Sequence, residues 1–431
     1  MGRGRCEVLG GVEAILALSV RRSWVILVAL PVVAQTQQVD GRGRSVPLLS
    51  ARFSDSVASV APGVEWHRMR SDAGPWIVNL VSVDLKRCAC DLRHVRAKDS
   101  LVAREKVSEM VARQPDASRV LAAINADFFD VKTGENENNQ VIDGEWWKGV
   151  RVTDSPYDTF DNPHTQFAIG LDGKLRMDQY VFEGTVELRG GDAFPVTALN
   201  HLESKTLEAT VLYTERFGRT PRDTARAMAE VPLRVISRRN DSTVYEITGP
   251  ATKVGGNAIP AGGAVLAAYG PRSKTVAAFN VGDSIVVVLG ASSPRGDGSR
   301  PNRRLSPRLL IGGWPRVLSN GQLAATRAPW DEGTLSSNAE ARHPRSAVGF
   351  SRDSSTVYLV TVDGRSETSV GMTLRELALF MGEYRSWNAL NFDGGGSTAL
   401  VVEGSVVNKP SDTTGERPVG NALIIVSRAR P

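Results

Sequence analysis

Residues 387–403, WNALNFDGGGSTALVVE, constrain the fold more than any other stretch of this chain. Apolar residues build up to Asn391, Phe392 and Asp393; Gly394, Gly395, Gly396, Ser397 and Thr398 follow, and a second apolar run, 399–402, leads away. The pattern predicts a buried strand ending in a carboxylate, a loop of open backbone, and a departing strand. Glycine costs chain entropy, so three in a row are expected where backbone N–H groups must approach a partner closely. A chemically inert glycine-rich hairpin is the plainer alternative.

Three further segments share this grammar and weigh against the inert turn. An apolar run at 119–124 delivers Asn125 and Asp127, and one at 355–362 opens onto Asp363, Arg365 and Glu367. Arg345 stands at the head of a third, 346–350. Their economical arrangement is convergence on one sheet edge, because polar groups at the ends of buried strands are well supported and point into clefts. The set holds carboxylates for acid/base or nucleophilic work, arginines suited to a planar anion, and glycine amides suited to phosphate. There is no Walker loop, no nucleophile elbow, and no His and Cys pair placed for nucleophilic chemistry.

With 41% hydrophobic and 23% charged residues in 431, the chain is expected to fold around a sizeable core. Its net charge of +5 is spread without a run of Lys or Arg, so no nucleic-acid partner is expected. Near the N-terminus Arg21 and Arg22 precede an apolar run, 24–33, followed by Ala34. This reads as a signal peptide over 1–34, with an uncleaved N-terminal anchor as the alternative; the run is short for a span. The chain is therefore expected to be exported, to the periplasm or beyond, with membrane contact only through that segment. Residues 35–63 read as a linker and 64–430 as the catalytic unit, with a β-rich inserted lobe at about 180–290.

The expected fold class is α+β: a mixed or antiparallel sheet core with a few packed helices. Ser100 is placed to cap a helix through Arg113, and Thr373 with Glu376 forms a capping box ahead of another. Cys88 and Cys90 sit two apart on an apparent strand, where a disulfide would be strained, so buried thiols are expected. Asp158, Asp161 and His164 read as a solvated loop and not a metal cluster. Residues 291–307, rich in Pro, Gly, Ser and Arg, read as a mobile loop or a flap beside the substrate.

The segments AAINADFF (122–129), RHPRSAVGF (342–350), VTVDGRSETSVGMTLRELA (360–378), LNFDGGGSTALVVEG (390–404), VVNKPS (406–411) and ERPVGNALIIV (416–426) resemble, in order and spacing, the phosphodiester glycosidase family, to which the mannose-6-phosphate uncovering enzyme belongs. Similarity is strong over 300–430 and weaker back to about 64. His343 before Pro344 departs from the pattern, and the cysteine-rich and transmembrane parts of animal members have no match.

The resemblance implies hydrolysis of the C1–O bond of a sugar-1-phosphodiester, on an envelope or extracellular polysaccharide. The departing phosphate monoester, with a second pKa of about 6, needs little protonation, so one firm carboxylate with cationic support suffices. Asp393 and Glu367 are the leading catalytic candidates, with Asp363 and Asp127 beside them. Arg345, Arg365 and the Gly394, Gly395 and Gly396 amides would hold phosphate; Asn125, Asp127 and Asn391 would position sugar hydroxyls, and Ser397 is a further substrate-binding candidate. No cofactor is required, and a divalent cation is left open. The competing readings are a metal-dependent phosphodiesterase cleaving P–O and a non-catalytic polysaccharide-binding protein.

Overall fold

The run 388–392 carries apolar residues on both faces because it lies between two layers. In the computed structural model it is the strand Asn388–Phe392, every residue buried, paired with Arg316–Ser319 on one side and Arg345–Phe350 on the other. The structure describes residues 51–428 apart from 157, 203–207, 219–227, 254 and 295–303, with the backbone of two short paired strands, Gln38–Val39 and Ser45–Val46. The expected signal segment and most of the flap lie outside these residues.

The sheet containing Asn388–Phe392 has eight strands and is antiparallel throughout. One face packs on the helix Leu374–Glu383 through Ala347, Val360, Val362 and Ala389. That helix starts as its sequence dictates: Thr373 Oγ1 accepts the Glu376 N–H at 3.1 Å, and Glu376 Oε2 accepts the Thr373 N–H at 2.9 Å. The opposite face, through Val348, Phe350, Leu390 and Phe392, meets Ile124, Leu400, Leu423, Phe167 and Ile311. These come from two five-stranded antiparallel sheets, one containing Val120–Asn125 and Asn421–Ser427, the other Thr165–Gly170 and Pro307–Gly312. Each fully buried Leu, Ile or Phe there is worth about 1.5–3 kcal/mol. A second eight-stranded sheet, built from 181–292, forms the β-rich lobe over a core it shares with Val141, Trp146, Ala168 and Leu310 of a five-stranded sheet. It is antiparallel except where Ala198–Leu199 runs parallel to Ala209–Thr214. The α+β class expected from the pattern is the class found.

Three local expectations are corrected. The stretch assigned to a linker contains a strand, Ser54–Ala61, paired with Val64–Ser71. As a largely exposed edge strand of Ser, Asp, Ala and Val, it has no buried face to imprint an apolar alternation. The helix expected from Ser100 is confined to Val107–Ala112, because Glu105 pairs its backbone with Val419 at 3.0 and 2.9 Å and Arg96 takes the Ser100 carbonyl. Cys88 and Cys90 form a disulfide, with Cα atoms 5.2 Å apart. Cys88 follows the turn 85–87, its N–H on the Asp84 carbonyl, and only Cys90 is in the strand, so the same-face argument does not apply.

Candidate active site

Antiparallel register puts the polar strand ends together. Arg345 opposes Val362, and Ser346 opposes Phe392, so Arg345, Asp363 and Asp393 emerge at one edge. Asn125 arrives from the neighbouring sheet. Its Nδ2 donates to the Asp393 carbonyl at 2.6 Å, and its Oδ1 accepts from Ser346 Oγ at 2.7 Å and the Ala399 N–H at 3.1 Å. The Asp393 N–H returns to the Ala126 carbonyl at 2.8 Å. Fully buried, Asn125 fixes the carboxylate-bearing residue in place; its bonds are made within the protein and not to a sugar.

The glycine turn is shaped by cations. Gly395 has φ +59° and its N–H donates to the Pro344 carbonyl at 2.9 Å, so this amide is already engaged. A Cβ on Gly395 would lie 3.0 Å from Arg365 Nη2, and one on Gly396 would lie 2.1 Å from Arg417 Nη2. The glycines thus leave room for two guanidinium groups. Arg365 is exposed, with Nη1 3.4 Å from Ser411 Oγ. Arg417 is half-exposed and gripped by Asp412 at 2.7 and 3.0 Å, with Nη1 3.4 Å from Ser397 Oγ. Arg417 carried no role in the sequence reading, although it lies inside the family-like block 416–426.

Arg345 has a different duty from the one expected. It is buried, and its guanidinium donates to the carbonyls of Met372 at 2.9 Å, Asn338 at 2.6 Å and Ala341 at 3.1 Å, and to Asn338 Oδ1 at 3.1 Å. It braces the 338–341 loop. Asn391 is buried too and donates to the Trp314 carbonyl at 2.7 Å. Asp363 accepts the Lys409 N–H at 3.1 Å, and burial pushes its carboxyl up to about 6. Glu367 is exposed in the turn closed by Ser366 and Ser369.

Asp127 and Asp393 are close enough for the charge of one to act on the other. Asp127 is buried and accepts the Asn138 N–H at 3.2 Å and Nδ2 at 2.6 Å. Its own N–H meets Asn421 Oδ1 at 3.0 Å, while Asn421 Nδ2 donates to His94 Nε2 at 2.9 Å. Burial, with Arg96 nearby, holds His94 down at about 3, so it stays neutral and able to accept. Burial pushes both aspartates up to about 6. For Asp393 the Ser397 hydroxyl and the Arg417 charge oppose that rise, and the Asp127 charge adds to it. Glu137, on which the Asp127 charge also acts, is pushed up to about 7, again by burial.

His164 Nε2 lies 2.8 Å from Asp158 Oδ2 with both side chains buried, and its ring stacks on Trp314 at 5.1 Å. The solvated loop expected at 158–164 is therefore an ordered wall, exposed only at such positions as Asp161. Among the described residues no three His, Cys, Asp or Glu side chains are grouped to hold a metal ion. His94, Asn138, His164 and Asn421 were not singled out as site residues; their part depends on contacts between distant strands.

Residues 235–426 match the phosphodiester glycosidase family model. Over 93 residues the chain is 41% identical to the SPbeta prophage-derived uncharacterized protein YomE of Bacillus subtilis (strain 168), covering 21% of this chain and 14% of that one. Over 82 residues it is 35% identical to N-acetylglucosamine-1-phosphodiester alpha-N-acetylglucosaminidase of Mus musculus, covering 19% and 16%. The chain thus spans less than a fifth of either relative. In fold it is similar to a putative exported protein from Burkholderia pseudomallei K96243, with TM-score 0.66 and 20% identity over 91% of this chain and 100% of that one.

Proposed function

We propose, from the phosphodiester glycosidase region at residues 235–426, that this protein hydrolyses the C1–O bond of a sugar-1-phosphodiester, releasing free sugar and a phosphate monoester. The observation that carries this reading is the placement of Arg365 and Arg417 over Gly395 and Gly396, next to the Asp393 carboxyl. Two guanidinium groups on one turn suit a phosphodiester's oxygens, and the charge that builds there on C–O cleavage is met by fixed donors. Water adds to C1 and the C1–O electron pair leaves on the phosphate oxygen. Above about pH 6 Asp393 is ionised and able to deprotonate that water or to bond C1 itself, with Asp127 as the second carboxyl. The likeness to a relative that acts on N-acetylglucosamine-1-phosphodiesters makes that diester the first substrate to offer.

The setting we propose is outside the cytoplasm, on an envelope or extracellular polysaccharide. Support comes from the basic-then-apolar pattern of 21–34 and from the Cys88–Cys90 disulfide, which suits an oxidising compartment. Product analysis after incubation with methyl N-acetylglucosaminyl phosphate, with and without chelator, tests the reaction. Free reducing sugar with methyl phosphate is expected, whereas sugar phosphate with methanol would mean P–O cleavage.

A further inference from the structure

A cavity of about 510 Å³ is lined in part by Phe129, Glu137, Lys148, Val152, Thr153 and Asp154. It adjoins the catalytic carboxyls through a short relay: Thr153 Oγ1 donates to Asn138 Oδ1 at 2.9 Å, and Asn138 Nδ2 donates to Asp127 at 2.6 Å. The Asp127 charge acts on both Glu137 and Asp393, so the three carboxyls belong to one electrostatic unit. Glu137 receives a hydrogen bond from Ser155, yet its Oε2 is buried without a hydrogen-bond partner among the described residues. A sequestered carboxyl oxygen lacking a partner costs stability unless something outside the protein satisfies it.

The charges decide what that is. Asp130, Glu135, Glu137, Asp154 and Asp161 line the cavity and outnumber Lys132, Lys148 and His201, and Lys148 is held by Glu135 at 3.1 Å. An anion would face carboxylates here, whereas an uncharged polyol finds acceptors, donors and the Phe129 and Val152 walls. The volume falls in the range of small-molecule sites.

We infer that this cavity receives the sugar ring of the substrate and that Glu137 hydrogen-bonds a hydroxyl or acylamino group of that ring. The inference rests on the proposed glycosidase reading and assigns the two halves of the diester to opposite sides of Asp127 and Asp393: sugar toward Glu137, phosphate toward Arg365 and Arg417.

The test uses the full chain, with methyl N-acetylglucosaminyl phosphate for turnover, and free N-acetylglucosamine and inorganic phosphate for binding by calorimetry. Glu137→Ala should raise KM and weaken sugar binding by about 10-fold or more, leaving phosphate affinity unchanged, and Glu137→Gln should recover much of the loss. Val152→Trp, at a wall position 37% exposed, should block the cavity with the same signature and an unchanged melting temperature. Wild-type sugar affinity and KM in Glu137→Ala and Val152→Trp would overturn the inference while the glycosidase reading stands. Sugar phosphate as the product, or full turnover by Asp393→Asn, would instead overturn the glycosidase reading and this inference with it.

Discussion

Asn125 donates its side-chain amide to the main-chain carbonyl of Asp393 over 2.6 Å, joining two sheets at the residue proposed to carry the chemistry. Asn125→Ala removes that bond and leaves the Ser346 hydroxyl and the Ala399 N–H without their acceptor in a dry interior. Each group so stranded costs about 1–3 kcal/mol. Melting temperature and turnover should therefore fall together, and an Asn125→Ala variant with normal melting would show that the bond does not fix the site.

The three arginines should separate cleanly. Arg365→Ala and Arg417→Ala should raise KM for the diester by about 10-fold or more with modest effects on melting, because both guanidinium groups are at least partly exposed. Arg345→Ala should lower stability by about 3 kcal/mol or more, since four acceptors around its guanidinium lose their donor. Urea unfolding and steady-state kinetics on the same preparations distinguish the two patterns.

Gly396→Ala puts a Cβ 2.1 Å from Arg417 Nη2 and 2.2 Å from Asp412 Oδ1, so the ion pair must move. The expected outcome is a KM defect like that of Arg417→Ala. At Gly395, the left-handed φ of +59° adds a backbone cost of about 1–2 kcal/mol for alanine, measurable by unfolding. Unchanged kinetics in Gly396→Ala would remove Arg417 from the phosphate side.

Asp127 also predicts a pH dependence of stability. Its folded pKa, raised to about 6 from a usual 3.8, means that the folded state binds the proton more tightly than the unfolded chain. Its contribution to stability is then complete below about pH 4 and is lost as pH rises through about 6. Relative to Asp127→Asn, which has nothing to titrate there, the wild type should lose on the order of 1–3 kcal/mol between pH 4 and pH 7. Parallel stability profiles for the two proteins would contradict this.

Much of the framework was legible because it is local. The apolar runs ending in Asn125, Asp363 and Asp393 and the capping box at Thr373 are properties of short stretches, and antiparallel pairing then sets the polar ends side by side. What was not legible depends on tertiary neighbours. Arg345 reads as a free cation until the 338–341 loop folds over it, and Arg417 acquires its place only from Asp412 and the glycine turn. Asp158 and His164 look like loop residues until Trp314 covers the ring. Glu137, one position from Asn138 in a polar run, gives no sign in sequence that burial will separate it from water.

The bond proposed to break is C1–O, on the sugar side of the bridging oxygen. Hydrolysis of methyl N-acetylglucosaminyl phosphate in water labelled with heavy oxygen, read by mass spectrometry of both products, tests it directly. The label is expected at C1 of the released sugar and not in methyl phosphate, with turnover reduced at least about 100-fold in Asp393→Asn at a near-normal melting temperature. Label in the phosphate, with C1 unlabelled, would contradict it.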